Sequence, residues 1–364
     1  GSVWCIFRSV RQILKDPKMK IIFILGKYNP GRCGISDYVD LLSKELIKNG
    51  HIVGIRSFDS LRELRQLARD LEEADLYSIQ FAPYAFSKIG FAGNALRRLA
   101  KSLEAKSVQV TFHELWIGSY PGSPVKHTVI GWVQKYEILT FLKVTKPSLI
   151  YATNSAALHR LRKAGISAAY LYLFGNIPFS QSQISSDQSI LKIGFFGTLY
   201  DSFPYDLLGE RLKSIYGLTK RKIILLRIGR TRESQGLIKL KRMAESRGFD
   251  LFETGELSAP EVSKEIQSCS LGISTTPYDV IGKSGATAAL LEHRLPILTH
   301  DDGDTPQKHL IISKLFDDQI FQLDDVDGPG EIAKYITQPK RKFINGVAYT
   351  AEEVLESLEL ACRS

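Results

Sequence analysis

Cysteine is scarce in this chain. Its 364 residues hold four, Cys5, Cys33, Cys269 and Cys362, far apart and without a CxxC spacing. That excludes a disulfide scaffold and a Cys-rich zinc module and fits a reducing compartment, so the cytoplasm is the expected setting. No uninterrupted apolar run reaches the roughly 20 residues that a membrane span needs, which excludes an integral membrane protein. There is no short-period repeat and no low-complexity tract. No basic stripe is interleaved with stacking aromatics, so nucleic acid is not an expected partner despite a net charge of +9. Two common nucleotide motifs are also missing. The first loop is not GxGxxG, and Gly282-Lys283-Ser284 has no glycine five positions ahead to complete a Walker A loop.

What is present is the balance of an ordinary globule, 44% hydrophobic and 24% charged. The length is about twice what one core holds comfortably, so two domains are expected. Almost half of the excess charge lies in the first 20 residues, where Arg8, Arg11, Lys15, Lys18 and Lys20 stand against Asp16 alone. Val3, Trp4, Ile6, Phe7, Val10, Ile13 and Leu14 are interleaved with them. The run is too short and too charged for a signal peptide. It reads either as a basic amphipathic helix on an anionic membrane face or as a helix packed on the body of the protein.

From residue 20 the chain alternates strands and helices. Apolar runs predict strands at Lys20–Gly26, His51–Ile55, Leu76–Phe81, Val108–Phe112, Leu149–Ala152 and Ala169–Leu173. Helical spacing predicts helices between them, including Leu61–Ala74, Ala92–Leu103 and about Val125–Val144. Residues 180–189 are polar and aperiodic, a linker composition. The alternation then restarts, with strands at Leu191–Phe196, Lys222–Ile228, Phe249–Glu253, Leu271–Ser274 and Pro296–Thr299. Helices are predicted near Tyr205–Ile215, Ser234–Arg247, Ala259–Ser268, Gly285–His293, Gly330–Ile336 and Ala351–Leu360. This predicts an α/β protein of two doubly wound, Rossmann-like domains facing a cleft. The expected division is a basic segment 1–19, a first domain 20–180, a linker 181–189, a second domain 190–340 and a tail 341–364 whose helix packs on the first domain.

In such sheets the strand-to-helix loops carry the chemistry. Pro30 to Ser36, with Gly31 and Gly34, opens a helix where backbone amides favour an anion, although a plain tight turn explains the glycines as well. His113 and Glu114 end a strand, before Trp116; the alternative is a histidine satisfied at a cleft edge. Gly197, followed by Thr198, leaves room for a phosphate or sugar. Arg230 follows a strand and a glycine, the setting for bidentate phosphate binding, against the alternative that the arginines of this loop are solvated. The strongest segment is Lys283, Ser284, Gly285, Ala286 and Thr287, a cation and small residues at a helix start, with Glu292 two turns on, where a carboxylate accepts from a ribose diol. Asp302-Gly303-Asp304 is a D-x-D string in a polar loop and is read as structure rather than as a metal site.

These pieces resemble a GT-B glycosyltransferase, most of all the GT4-type family of retaining enzymes, over about residues 20–364. Gly31–Ser36 with Asp37-Tyr38-Val39 is similar to the family's first loop. Thr111–Trp116 resembles its His-containing strand end near the reacting sugar. Gly175-Asn176-Ile177-Pro178 resembles the entry to the second domain. Gly255-Glu256-Leu257 resembles the turn that holds the base through backbone atoms. Ser284 to Glu292 falls on its Glu-x7-Glu motif, with serine in place of the first glutamate. The family's Arg and Lys after Gly197 are also missing, so Arg230 and Lys283 are expected to supply the diphosphate charge.

The expected activity is transfer of a hexosyl group from a nucleotide-diphosphate sugar, UDP before GDP, to a glycan or lipid-linked acceptor in polysaccharide or glycoconjugate synthesis. No metal or other cofactor is expected. The resemblance implies a retaining outcome. His113, Arg230 and Lys283 are the expected catalytic residues. Gly34, Gly197, Thr198, Arg230, Glu256, Leu257, Lys283, Ser284, Gly285, Ala286, Thr287 and Glu292 are the expected donor-binding set. The basic start, with Lys88, Arg97, Arg98 and Lys101, points to peripheral contact with the inner face of a membrane, against the alternative of a solvated surface. A nucleotide-sugar epimerase on the same fold and an inactive sugar-nucleotide binder are the competing readings.

Overall fold

The computed structural model describes residues 18–118, 123–182, 187–230, 233–301, 315–338 and 343–363, apart from the side chains at 279, 317 and 358–363. A parallel strand covered on both faces has no polar side to show. β1 (Lys20–Leu25) is accordingly buried from Ile21 to Leu25, and every residue of β3 (Leu76–Phe81) and β4 (Val108–Phe112) is buried, whereas β2 (Ile52–Ser57) lies at a sheet edge and is partly exposed. Between and after these strands come α1 (Gly34–Lys48), α2 (Leu61–Arg69), α3 (Pro83–Phe86), α4 (Asn94–Ser102) and α5 (Val125–Thr145). The series continues with β5 (Leu149–Ala152), α6 (Ser155–Lys163) and β6 (Ala169–Tyr170).

The second series runs β7 (Ile190–Phe196), α7 (Tyr205–Thr219), β8 (Lys222–Ile228), α8 (Gln235–Arg247), β9 (Asp250–Glu253), α9 (Ala259–Ser268) and β10 (Leu271–Ile273). It ends with α10 (Gly285–Glu292), β11 (Ile297–Thr299), β12 (Ile320–Gln322), α11 (Gly328–Ile336) and α12 (Gly346–Arg363). Two six-stranded parallel sheets result, in the orders β2-β1-β3-β4-β5-β6 and β12-β11-β10-β7-β8-β9. The second core packs Ile193, Phe195, Leu225 and Ile273 against Leu208, Leu212 and Met243. Its chain starts in the middle of the sheet, lays β8 and β9 to one side and β10 to β12 to the other. The reversal opens a crevice at the carboxyl ends of β7 and β10, the place where open α/β sheets bind ligands.

The described chain groups into two compact units. One holds residues 18–28, 43–110 and 116–148; the other holds Asn29–Leu42, Thr111–Leu115 and everything from Leu149 onward. In the second unit α12 lies against β5, and Thr350 Oγ1 donates to the Tyr172 carbonyl at 2.9 Å.

Several elements differ from the sequence reading, the short α3 among them, which has no counterpart there. α2 stops at Arg69, five residues early, because Asp70, Glu72 and Glu73 follow and carboxylates oppose the negative end of a helix. α12 starts at Gly346, five residues early, because Asn345 caps it: Oδ1 accepts from the Ala348 amide at 3.1 Å. β6 ends at Tyr170 instead of running to 173. β12 has no counterpart in the reading, since three residues are too few to show a period. Residues 1–17 of the basic segment, 183–186 of the linker, Asp302-Gly303-Asp304 and 339–340 of the second domain, and 341–342 of the tail lie outside the described residues.

Candidate functional site

The crevice between β7 and β10 is built from short turns. Gly197 follows β7 with φ +91°, a left-handed conformation that glycine tolerates, and a Cβ there would stand 2.6 Å from the Ala286 methyl group. The β7 loop therefore lies directly on the start of α10. One hydroxyl fixes it: Thr275, just past β10, donates to the Thr198 carbonyl at 2.8 Å and accepts from the Tyr200 amide at 3.0 Å.

Ser284 is the N-cap of α10. Its Oγ accepts from the Thr287 amide at 3.1 Å and from Thr287 Oγ1 at 2.9 Å, and the Thr287 hydroxyl also meets Ser274 Oγ at 2.8 Å. The intrahelical ladder begins with Ala288 N donating to Ser284 O at 3.0 Å, so the amides of Gly285 and Ala286 precede it. Lys283 is exposed and ends a 3-10 turn, Tyr278–Lys283, that the sequence reading did not contain. On the other flank of β7, Arg230 is exposed just past β8. The Gly229 amide donates to Thr254 Oγ1 at 3.0 Å, which ties this loop to the turn carrying the exposed Glu256 and the half-buried Leu257. Gly197 and Thr198 thus meet the start of α10, Ser284 to Thr287; Lys283 precedes it in the chain, and Arg230 follows β8, the strand beside β7.

Two residues here were not foreseen. Arg227 is buried on β8, where its Nη1 donates to the carbonyls of Phe195 at 3.1 Å and Ile228 at 2.7 Å; burial lowers its pKa. Thr275 was missed as well. Its signal was the run Ser274-Thr275-Thr276 at a strand's carboxyl end, three hydroxyls where apolar residues stop.

Glu292 stands elsewhere. It is the last residue of α10, eight positions and about 12 Å along the helix from Ser284. Only 6% of it is exposed, and its Oε1 accepts from the Gly175 amide at 2.6 Å and the Tyr172 hydroxyl at 2.8 Å. The Gly346 amide is a further donor; despite these three, burial pushes the carboxyl up to about 7. The carboxylate is committed to protein donors at the end of the helix away from the crevice, so the ribose expectation does not follow from its geometry. It ties the Tyr172–Gly175 segment and the start of α12 to α10. Gly175 is required there, because a Cβ would fall 2.6 Å from the Ala289 Cα. Next to it, the Asn176 amide donates to the Gly285 carbonyl at 3.3 Å.

The first loop is closed on itself. The Asp37 carboxylate accepts from the Gly31 amide at 2.6 Å, and Ser36 Oγ accepts from the Asn29 amide at 2.9 Å. A carboxylate already occupies the first turn of α1, which works against the anion expected near Gly34. His113 is 5% exposed, and burial pulls its pKa down to about 4, so the imidazole is neutral near pH 7. Tyr38 meets it edge-on at 5.2 Å and stacks on Phe174 at 4.8 Å.

No protein-family model matches the chain, and no curated protein matches it. Solved structures do. Anabaena HepE, in complex with UDP and glucose, aligns with a TM-score of 0.52 at 12% identity over 94% of this chain and 100% of its own. A glycosyltransferase from Rickettsia africae gives 0.55 at 12% identity over 95% and 94%. The UDP-GlcNAc 2-epimerase from Methanocaldococcus jannaschii gives 0.52 at 12% identity over 94% and 100%. At this identity the likeness speaks to architecture: the chain has the two-Rossmann-domain GT-B fold shared by these transferases and epimerases.

Proposed function

We propose that the chain is a glycosyltransferase that takes a hexosyl group from a nucleotide-diphosphate sugar, UDP-linked before GDP-linked, and passes it to a glycan or lipid-linked acceptor. The observation that carries this is the β7/β10 crevice. There Gly197 brings a loop onto the start of α10; on this reading the exposed Lys283, next to that helix in the chain, and Arg230, just past the neighbouring β8, supply positive charge to it. Solved proteins of the same fold that bind UDP add support.

Breaking a sugar–phosphate bond leaves an oxocarbenium-like sugar and a diphosphate on which negative charge grows. Two cations and the leading amides of α10, directed at that charge, form an electrostatic catalyst worth several kcal/mol. On this reading they do the work that a metal does in other transferases, and Arg227 holds the β7 and β8 ends in place beneath them. Attack comes from the leaving-group face, with the phosphate taking the acceptor's proton, which retains the anomeric configuration. Neutral His113 faces the sugar side as a hydrogen-bond partner. Gly255, Glu256 and Leu257 hold the base through backbone atoms.

Calorimetry with UDP and a panel of UDP- and GDP-sugars, followed by an assay for released nucleotide diphosphate, tests the reading. Binding of a UDP-sugar with release of UDP to an acceptor is expected. No heat with any of them overturns it. The epimerase reading rests on the shared fold of the 2-epimerases; an altered sugar without any acceptor would favour it.

A further inference from the structure

In the first unit, α5 is apolar on two opposite sides. Gly131, Gln134, Ile138, Phe141 and Leu142 face inward and are buried. On the other side Val125 is 80% exposed, Val129 60%, Trp132 76% and Tyr136 62%, spaced four, three and four residues apart on one stripe. Exposed apolar residues scattered singly need no explanation, but a continuous stripe with two aromatics marks a contact surface.

The charge around the stripe is of one sign. α4 carries Arg97, Arg98 and Lys101; α5 carries Lys126, Lys135 and Lys143. The one carboxylate on these two helices is Glu137, and it is spent on the amides of Ala92 and Gly93. Tyr136 also borders a cavity of about 130 Å³ between α4 and α5, walled by Leu96, Ala100 and Phe141 with Arg97 and Lys101 alongside.

We infer that this face docks on an anionic lipid bilayer. Trp132 and Tyr136 seat at the headgroup level, Val125 and Val129 reach the acyl boundary, and the α4 and α5 cations meet lipid phosphates. A second copy of the chain would bring like charge against like, and so would residues 1–17, where Arg8, Arg11 and Lys15 face Asp16 alone. No helix among the described residues is long and apolar enough to cross a membrane, so the contact is with the surface. The inference stands apart from the transferase reading, since its observations belong to the other unit and its readout needs no nucleotide.

The test is flotation of the full chain with vesicles of phosphatidylcholine, with and without phosphatidylglycerol. Flotation with the anionic vesicles alone is expected, weakening as salt rises. Trp132→Ser with Tyr136→Ser is expected to cut partitioning by about tenfold. Each of Arg97→Gln and Lys101→Gln is expected to cut it by about fivefold, the equivalent of about 1 kcal/mol. Circular dichroism and thermal melts of the same variants show whether they remain folded and keep the two questions separate. Unchanged flotation of all the variants overturns the inference, as does equal flotation with neutral vesicles. A concentration-dependent dimer that the aromatic pair abolishes also overturns it, because a second copy then covers the face. So does loss of flotation on deleting residues 1–17 while the face variants float normally.

Discussion

Two regions of the molecule present exposed cations, and they are built in opposite ways. At the carboxyl edge of the second sheet, Arg230 and Lys283 stand on turns beside glycine, hydroxyls and the leading amides of α10. On α4 and α5 the cations surround exposed valine, tryptophan and tyrosine. Charge alone does not separate the two. The company each charge keeps does: backbone amides that converge on a point suit a compact polyanion, whereas an apolar stripe suits an extended amphiphilic surface.

That contrast is sharpest where the charge is removed. Replacing Arg230 and Lys283 together by alanine is expected to lower the rate of UDP release by about 10²–10³-fold, the scale for loss of electrostatic stabilisation in a site, and to leave flotation unchanged. Equal losses in both assays would mean that the two regions do not differ as described. A steric break comes next. Gly197→Val places a branched side chain against Ala286 at a left-handed φ, so a loss of about 1–3 kcal/mol in chemical denaturation and weaker UDP binding are expected. The α5 stripe has no such constraint, so Val129→Ser is expected to change stability by less than about 0.5 kcal/mol.

Glu292 sharpens the comparison through pH. Its carboxyl is held up to about 7 in the fold against 4.5 as the ordinary value. Between these values the folded state keeps a proton that the unfolded chain has lost. The stability it confers is full below about pH 4.5 and disappears as pH rises through about 7. Thermal melts are expected to fall over that window, and Glu292→Gln to flatten the fall; a parallel curve for the variant would place the proton elsewhere. His113 works in the opposite sense. Its pKa is depressed from 6.5 to about 4, so its contribution is full above about pH 6.5 and lost as pH falls through 4. His113→Asn is expected to act on the acid limb of the melt series alone, flattening the loss of stability below about pH 6.5.

Much of the architecture was legible in the residues. Buried parallel strands are apolar throughout, so β1, β3, β4, β7 and β8 stood out, and the turn between series was visible as a loss of apolar residues. The helix start at Ser284 was legible too, because a capping serine before small residues is a local signal. Glu292 was not. Its eight-residue spacing from Ser284 was visible, but Gly175, Tyr172 and Gly346, which claim its oxygens, lie 117, 120 and 54 positions away in the chain. The first loop reads equally as an anion site or as a tight turn, and the sequence could not choose for a nearer reason. Asp37 was visible six residues after Gly31, yet which backbone amide it accepts from depends on the turn between them.

The sequence by itself determined the order and class of the elements, because periodicity, capping and glycine placement act over a few residues. Only the tertiary structure decided that Gly197 rests on Ala286, that Glu292 is consumed as a tie, and that one side of α5 is left without a covering among the described residues. Each depends on groups far apart in the chain meeting in space. Burial, desolvation and hydrogen-bond satisfaction belong to those meetings and not to any single residue.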